Sequence, residues 1–139
     1  MDPVNAVASI LTLLQVAAVL AKTATDIYEK LRDAPRELLL VANHLILLQA
    51  QLSHLHRVEQ DHSLASIDLT TRHALKAALD AARQEVNDID LLCDRLPGRG
   101  KLESRLKWVI YDRDKLEKSL TRLRAIQTSL GVLLQLLTL

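Results

Sequence analysis

Apolar residues recur at spacings of three and four along almost the whole chain, which is the pattern of helices with one apolar side. Three stretches interrupt this pattern. Residues 33–35 are Asp-Ala-Pro, residues 60–66 are mostly polar, and residues 96–100 contain a proline and two glycines. The pattern therefore predicts four helices, over about 3–31, 35–59, 67–95 and 101–139.

In the last three predicted helices, the regularly spaced apolar residues define the side that we expect in the core. In the second helix these residues are Leu38, Val41, Leu45, Leu48, Leu52 and Leu55. In the third they are Leu75, Ala78, Ala82, Val86, Ile89 and Leu92. In the fourth they are Leu102, Leu106, Val109, Leu116, Leu120, Leu123, Leu130, Leu134 and Leu137. Four such helices predict an all-α fold, an antiparallel four-helix bundle.

The fourth predicted helix is about 35 residues long, roughly three times the average helix. Arg113 occupies one of its apolar positions. We therefore expect a bend or a break in this helix near 111–114.

The first helix carries no charged residue over the 19 positions from Pro3 to Ala21. Its polar residues fall in one stripe: Asn5, Ser9, Thr12 and Gln15. At about 1.5 Å per residue the uncharged run is ~28 Å long, close to the ~30 Å hydrocarbon core of a bilayer. Two interpretations follow: a central helix of a bundle, or a helix that is sheltered in one state and enters a membrane in another. In the second case the inserting residues are Val4, Val7, Ile10, Leu11, Leu14, Val16, Ala18 and Leu20.

Neither a signal peptide nor a permanent span fits this helix. A signal peptide needs a positively charged start, and the only early charge here is Asp2. The four polar residues bring the summed insertion free energy near zero on a scale that gives Leu about −0.5 kcal/mol. Any membrane insertion of this helix is therefore conditional.

Charge is divided unevenly along a chain whose net charge is only +1. Residues 1–94 hold 8 basic against 13 acidic residues, and residues 95–139 hold 10 against 4. Two interpretations of the basic residues in the fourth helix are possible. Either they form ion pairs with the acidic third helix and are otherwise solvated, or they bind anionic lipid with a favourable free energy of ~1 kcal/mol per residue. The lipid-facing candidates are Lys107, Lys115, Lys118 and Arg122. With 2% aromatic residues the chain lacks stacking side chains, so nucleic acid is not an expected partner.

The sequence offers little for catalysis or metal binding. His54 and His56 lie about 200° apart on a helix and cannot share one ion. No base accompanies Cys93, whose simplest interpretation is a small core residue, and no glycine-rich phosphate loop is present. We expect no enzyme activity, no metal and no cofactor.

The opening MDPVNAVASILTLLQVAAVLAKTATDIYEKL, followed by DAP and a leucine-rich helix, resembles the HeLo-like N-terminal domain of fungal NLR-type (STAND) receptors. The later stretch RLKWVIYDRDKLEKSLTRLRAIQTSLGVLLQLL resembles the closing part of the same domain. The resemblance covers essentially all of 1–139 and implies one helical domain at the N-terminus of a larger receptor. Unlike some relatives, the first helix has no glycine zipper.

The resemblance implies a role in nonself recognition and regulated cell death. It implies a cytoplasmic domain that oligomerises on activation and moves to the plasma membrane, which it targets through its N-terminal helix. The alternative is an adaptor that binds other helical signalling domains and has no membrane activity.

Overall fold

The computed structural model describes residues 3–30, 34–61, 67–94 and 102–138, with side chains at 10–30, 34–61, 67–94 and 113–138. This part of the chain forms four helices and no strand: α1 Pro3–Lys30, α2 Arg36–Asp61, α3 Leu69–Asp94 and α4 Leu102–Leu137. The predicted all-α four-helix bundle is confirmed, and every helix end lies within two residues of its predicted place.

Each helix packs against two others. α1 packs against α2 and α3, and α4 packs against the same two helices, so α1 and α4 lie across a diagonal of the bundle. Successive helices alternate in direction because their connections are short. α2 and α4 therefore run the same way, as their contacts require: Glu37 meets Arg113, and His44 meets Gln127.

The core contains the residues that the helical spacing predicts. Every predicted core residue of α2 and α3 is buried, as are five of α4: Leu116, Leu120, Leu123, Leu130 and Leu134. Leu137 is partly buried, and the side chains of Leu102, Leu106 and Val109 lie outside the described residues. Leu79, Ile126 and Leu133 are further core residues that the spacing did not identify.

α4 is one uninterrupted helix of 36 residues, so a break near 111–114 is not present, and the alternative expectation of a bend there stays a prediction. Arg113 is compatible with this helix because its side chain is exposed and pairs with Glu37 on α2. At the start of α3, the Asp68 carboxylate accepts a hydrogen bond from the Thr71 amide at 2.7 Å. This cap satisfies a free donor of the first turn. Hydrogen bonding with the Thr71 side chain, and then with its amide, lowers the pKa of Asp68.

Candidate membrane-binding surface

The outward side of α1 is uncharged over its first described turns. Thr12 and Gln15 are exposed, as the polar stripe predicts, and beside them Val16 and Val19 are 39% and 64% exposed. The side chains of Asn5 and Ser9 lie outside the described residues. In the closed bundle this strip is the part of α1 that a lipid surface can reach.

The inward side of α1 belongs to the core. The buried residues are Ile10, Leu13, Ala17, Leu20, Ala21 and Ala24. Among the eight predicted inserting residues, Ile10 and Leu20 are thus buried, Val16 is exposed, and three are partly buried: Leu11, Leu14 and Ala18. The side chains of Val4 and Val7 lie outside the described residues. Insertion of α1 would require its separation from the bundle, because Ile10, Leu13 and Leu20 are part of the core.

The two threonines of α1 beyond Ala21 hydrogen-bond to their own helix. Thr23 donates to the carbonyl of Val19 at 2.9 Å, and Thr25 donates to the carbonyl of Ala21 at 2.8 Å. A hydroxyl that is satisfied within its own helix carries its partner with it into lipid. These threonines therefore do not tie α1 to the bundle.

Only apolar contacts join the described side chains of α1, residues 10–30, to the other helices. In this range the side-chain hydrogen bonds stay within the helix, and no salt bridge is formed. Lipid chains are as apolar as leucine, so such an interface has little advantage over lipid. α1 can be transferred from protein to bilayer without leaving a described polar partner behind.

α4, by contrast, is joined to α2 by a group of hydrogen bonds centred on Gln127. The Gln127 amide donates to the carbonyl of His44 at 2.8 Å, and its oxygen lies 2.8 Å from Nδ1 of the same histidine. The Gln51 amide donates to the Gln127 carbonyl at 2.9 Å. We call these three bonds the Gln127 clamp. Further along, Arg113 donates to Glu37 at 3.0 Å.

An ion pair between described residues, lying partly in the core, joins α4 to α3. The Glu85 side chain is 3% exposed, and both of its oxygens accept hydrogen bonds from the Arg122 guanidinium. Arg122 is 51% exposed. The hydrogen bond that Arg122 donates to Glu85 is the main reason that the pKa of Arg122 is raised. This pair agrees with the interpretation in which the basic residues of α4 pair with the acidic third helix.

Three of the four predicted basic candidates lie around one open groove between α3 and α4. Lys115, Lys118 and Arg122 line it together with Asp88, Leu91 and Leu92. Lys118 also pairs with Asp114 at 3.4 Å, and both side chains are about two-thirds exposed. The side chain of Lys107 lies outside the described residues.

The remaining chemical groups give no sign of a catalytic or metal site in the described part of the chain. Burial raises the pKa of the Cys93 thiol to about 11, with further contributions from Asp90 and Asp94. Such a thiol is almost never the reactive thiolate. In the described ranges no group of three metal-binding side chains occurs.

A second helix is also long and apolar enough to cross a membrane. By length and composition both Ile10–Lys30 and Arg36–Asp61 qualify, although buried helices of soluble proteins meet the same criterion. The sequence signal in α2, which we had sought only in the first helix, is the 19-residue run 38–56 with no acidic residue, lysine or arginine.

Comparison with known proteins gives no match, either to a protein-family model, to a curated protein or to a solved structure. The resemblance to HeLo-like domains therefore stays a prediction from the sequence.

Proposed function

We propose that this domain is a membrane-targeting cell-death effector whose α1 leaves the bundle and enters a bilayer. The observation that supports this most directly is that the described side chains of α1 touch the other helices through apolar contacts alone. The uncharged run of the helix also matches the thickness of the hydrocarbon core.

The burial of α1 explains why this step would be regulated. Ile10, Leu13 and Leu20 are each at most 4% exposed. Exposing them to water costs about 1.5–3 kcal/mol each, so roughly 5–9 kcal/mol together. In water α1 therefore stays in the bundle, and release requires a lipid phase or an assembled oligomer that compensates for this cost.

The biological setting of the proposal comes from the resemblance to HeLo-like domains. In that setting the domain belongs to a fungal NLR-like receptor, waits in the cytoplasm, and oligomerises at the plasma membrane on activation. The cationic side chains of the groove residues Lys115 and Lys118 would contribute attraction to anionic headgroups.

The test is vesicle leakage by a variant with two charges in the middle of the uncharged run, Thr12→Lys with Gln15→Lys. Both positions are exposed, so the folded domain should lose no more than about 0.5 kcal/mol per site. Near the centre of a bilayer each lysine costs roughly 2.5–3.5 kcal/mol, enough together to reduce insertion more than a thousandfold. We expect an unchanged melting temperature and a loss of leakage.

The matched control is Ala74→Lys with Ala77→Lys, which adds the same charge at two exposed positions of α3 with the same spacing of three residues. This variant should leak like the wild type. If the α1 variant folds and still permeabilises vesicles, insertion of α1 is not the mechanism.

One feature favours the alternative, an adaptor that binds other helical domains. Val132 and Leu136 lie one turn apart on α4 and are 51% and 53% exposed, in a segment without charge from Ala125 onward. A domain that causes no leakage but binds a helical partner through these residues would support the adaptor function.

A further inference from the structure

If α1 enters a membrane, the first question about mechanism is whether α2 goes with it. α2 has its own 19-residue run without acidic residues, lysine or arginine, and it is the next helix in the chain and a direct neighbour of α1. An inserted α1–α2 hairpin and an inserted α1 alone are therefore both compatible with composition. The arrangement of polar contacts distinguishes them.

We propose that α1 detaches alone and that α2, α3 and α4 stay assembled as a three-helix unit joined through polar contacts to α4. This inference rests on the proposed membrane function and specifies which part of the fold moves. The hydrogen bonds and salt bridges that we identify between described residues of different helices each have one partner on α4.

Separating α2 from α4 would break the Gln127 clamp. The side chains of His44, Gln51 and Gln127 would lose the partners that they have in the bundle. Two of these residues, His44 and Gln51, lie inside the uncharged run of α2 and would have to enter lipid unsatisfied. α1 has no comparable obstacle within residues 10–21, where its side chains make no hydrogen bond to another helix.

The segment between the two uncharged runs is a second obstacle to hairpin insertion. Residues 22–37 contain eight charged side chains: Lys22, Asp26, Glu29, Lys30, Arg32, Asp33, Arg36 and Glu37. For a hairpin to span the bilayer, this segment must cross the hydrocarbon core, where each charge is strongly unfavourable. When α1 enters alone, the same segment stays on the side of the membrane where the bundle lies.

On the other side of the unit, the Glu85–Arg122 pair joins α3 to α4. A buried carboxylate that loses its cation is strongly destabilised, so α3 and α4 are not expected to separate when α1 leaves. After release of α1, α4 therefore remains bonded to both of its neighbours.

The experiment places two lysines on the outward side of α2, Asn43→Lys with Ala50→Lys, both at exposed positions. It compares their effect on vesicle leakage with that of Thr12→Lys with Gln15→Lys on α1. We expect the α2 variant to retain leakage within about twofold of the wild type, whereas the α1 variant loses at least a hundredfold. Loss of leakage by both variants, with both folded, means that α2 also enters the bilayer and overturns the inference.

If the α1 variant causes as much leakage as the wild type, or if the wild type causes none, the proposed function is wrong. Hydrogen exchange in solution then still tests whether α1 detaches alone. Native-state exchange without vesicles should show the α1 amides opening in a separate step, at least tenfold faster than the slowest amides of α2, α3 and α4. If α1 exchanges in the same step as the other three helices, α1 is not a detachable element and the three-helix unit does not exist.

Discussion

Replacing Arg122 by methionine tests whether the Glu85–Arg122 pair holds α3 against α4. Glu85 is 3% exposed at its side chain, and its carboxylate accepts hydrogen bonds from two nitrogens of Arg122. In Arg122→Met the carboxyl group of Glu85 keeps its burial but loses its cation. Loss of one partner from a fully buried pair costs about 3–5 kcal/mol.

The magnitude expected here is lower, because Arg122 is 51% exposed and water can reach the pair from that side. We therefore expect Arg122→Met to lower the free energy of unfolding by about 2–3 kcal/mol. The double variant Glu85→Leu with Arg122→Met removes the buried charge as well, so it should recover most of this loss. Urea unfolding at neutral pH, followed by far-ultraviolet circular dichroism, measures the free energy of unfolding of the wild type and both variants.

A matched control is Lys118→Met, on the same helix and one turn away. Its partner Asp114 is 69% exposed, so this pair should contribute less than about 0.5 kcal/mol. If Arg122→Met is as mild as Lys118→Met, or if the double variant is less stable than Arg122→Met alone, the ion pair does not stabilise the α3–α4 interface as we infer.

Two further predictions concern the basic groove and the single cysteine. Lys115→Gln with Lys118→Gln should weaken binding to anionic vesicles in a flotation assay. Added salt should weaken wild-type binding in the same way, because salt screens the electrostatic attraction to the surface. Binding that does not depend on salt would contradict this prediction. Burial raises the pKa of the Cys93 thiol to about 11, so roughly one thousandth of it is thiolate at pH 8. Cys93 should therefore react slowly with a disulfide reagent at pH 8 and faster as the pH approaches 11. Fast reaction of the folded domain at pH 8 would show that Cys93 is accessible.

The helical fold could be predicted from the sequence because the spacing of apolar residues is a local property. In α2, Leu38, Leu45 and Leu52 recur every seven residues, and each is fully buried. The stops between helices were equally local, since proline and glycine act on their own backbone. The same spacing missed Leu79 and Ile126, which are buried in the packed bundle.

The candidate site was predictable only in part. The uncharged run of α1 and its exposed residues Thr12 and Gln15 follow from composition and helical periodicity. The sequence of α1 alone does not show that its described side chains lack polar partners on other helices. This property depends on which side chains the neighbouring helices place next to α1. The run of α2 has the same length, yet it contains His44 and Gln51, whose partners lie some 80 residues away on α4.

The sequence by itself thus determined four helices, the faces that they bury and a first helix suited to lipid. Only the tertiary structure decided that α1 is diagonal to α4, that Arg122 is paired with Glu85, and that α4 makes polar contacts with both α2 and α3. Local patterns decide which residues are apolar and where helices stop. Hydrogen bonds and ion pairs between distant residues depend on three-dimensional proximity, which appears only when the helices have packed.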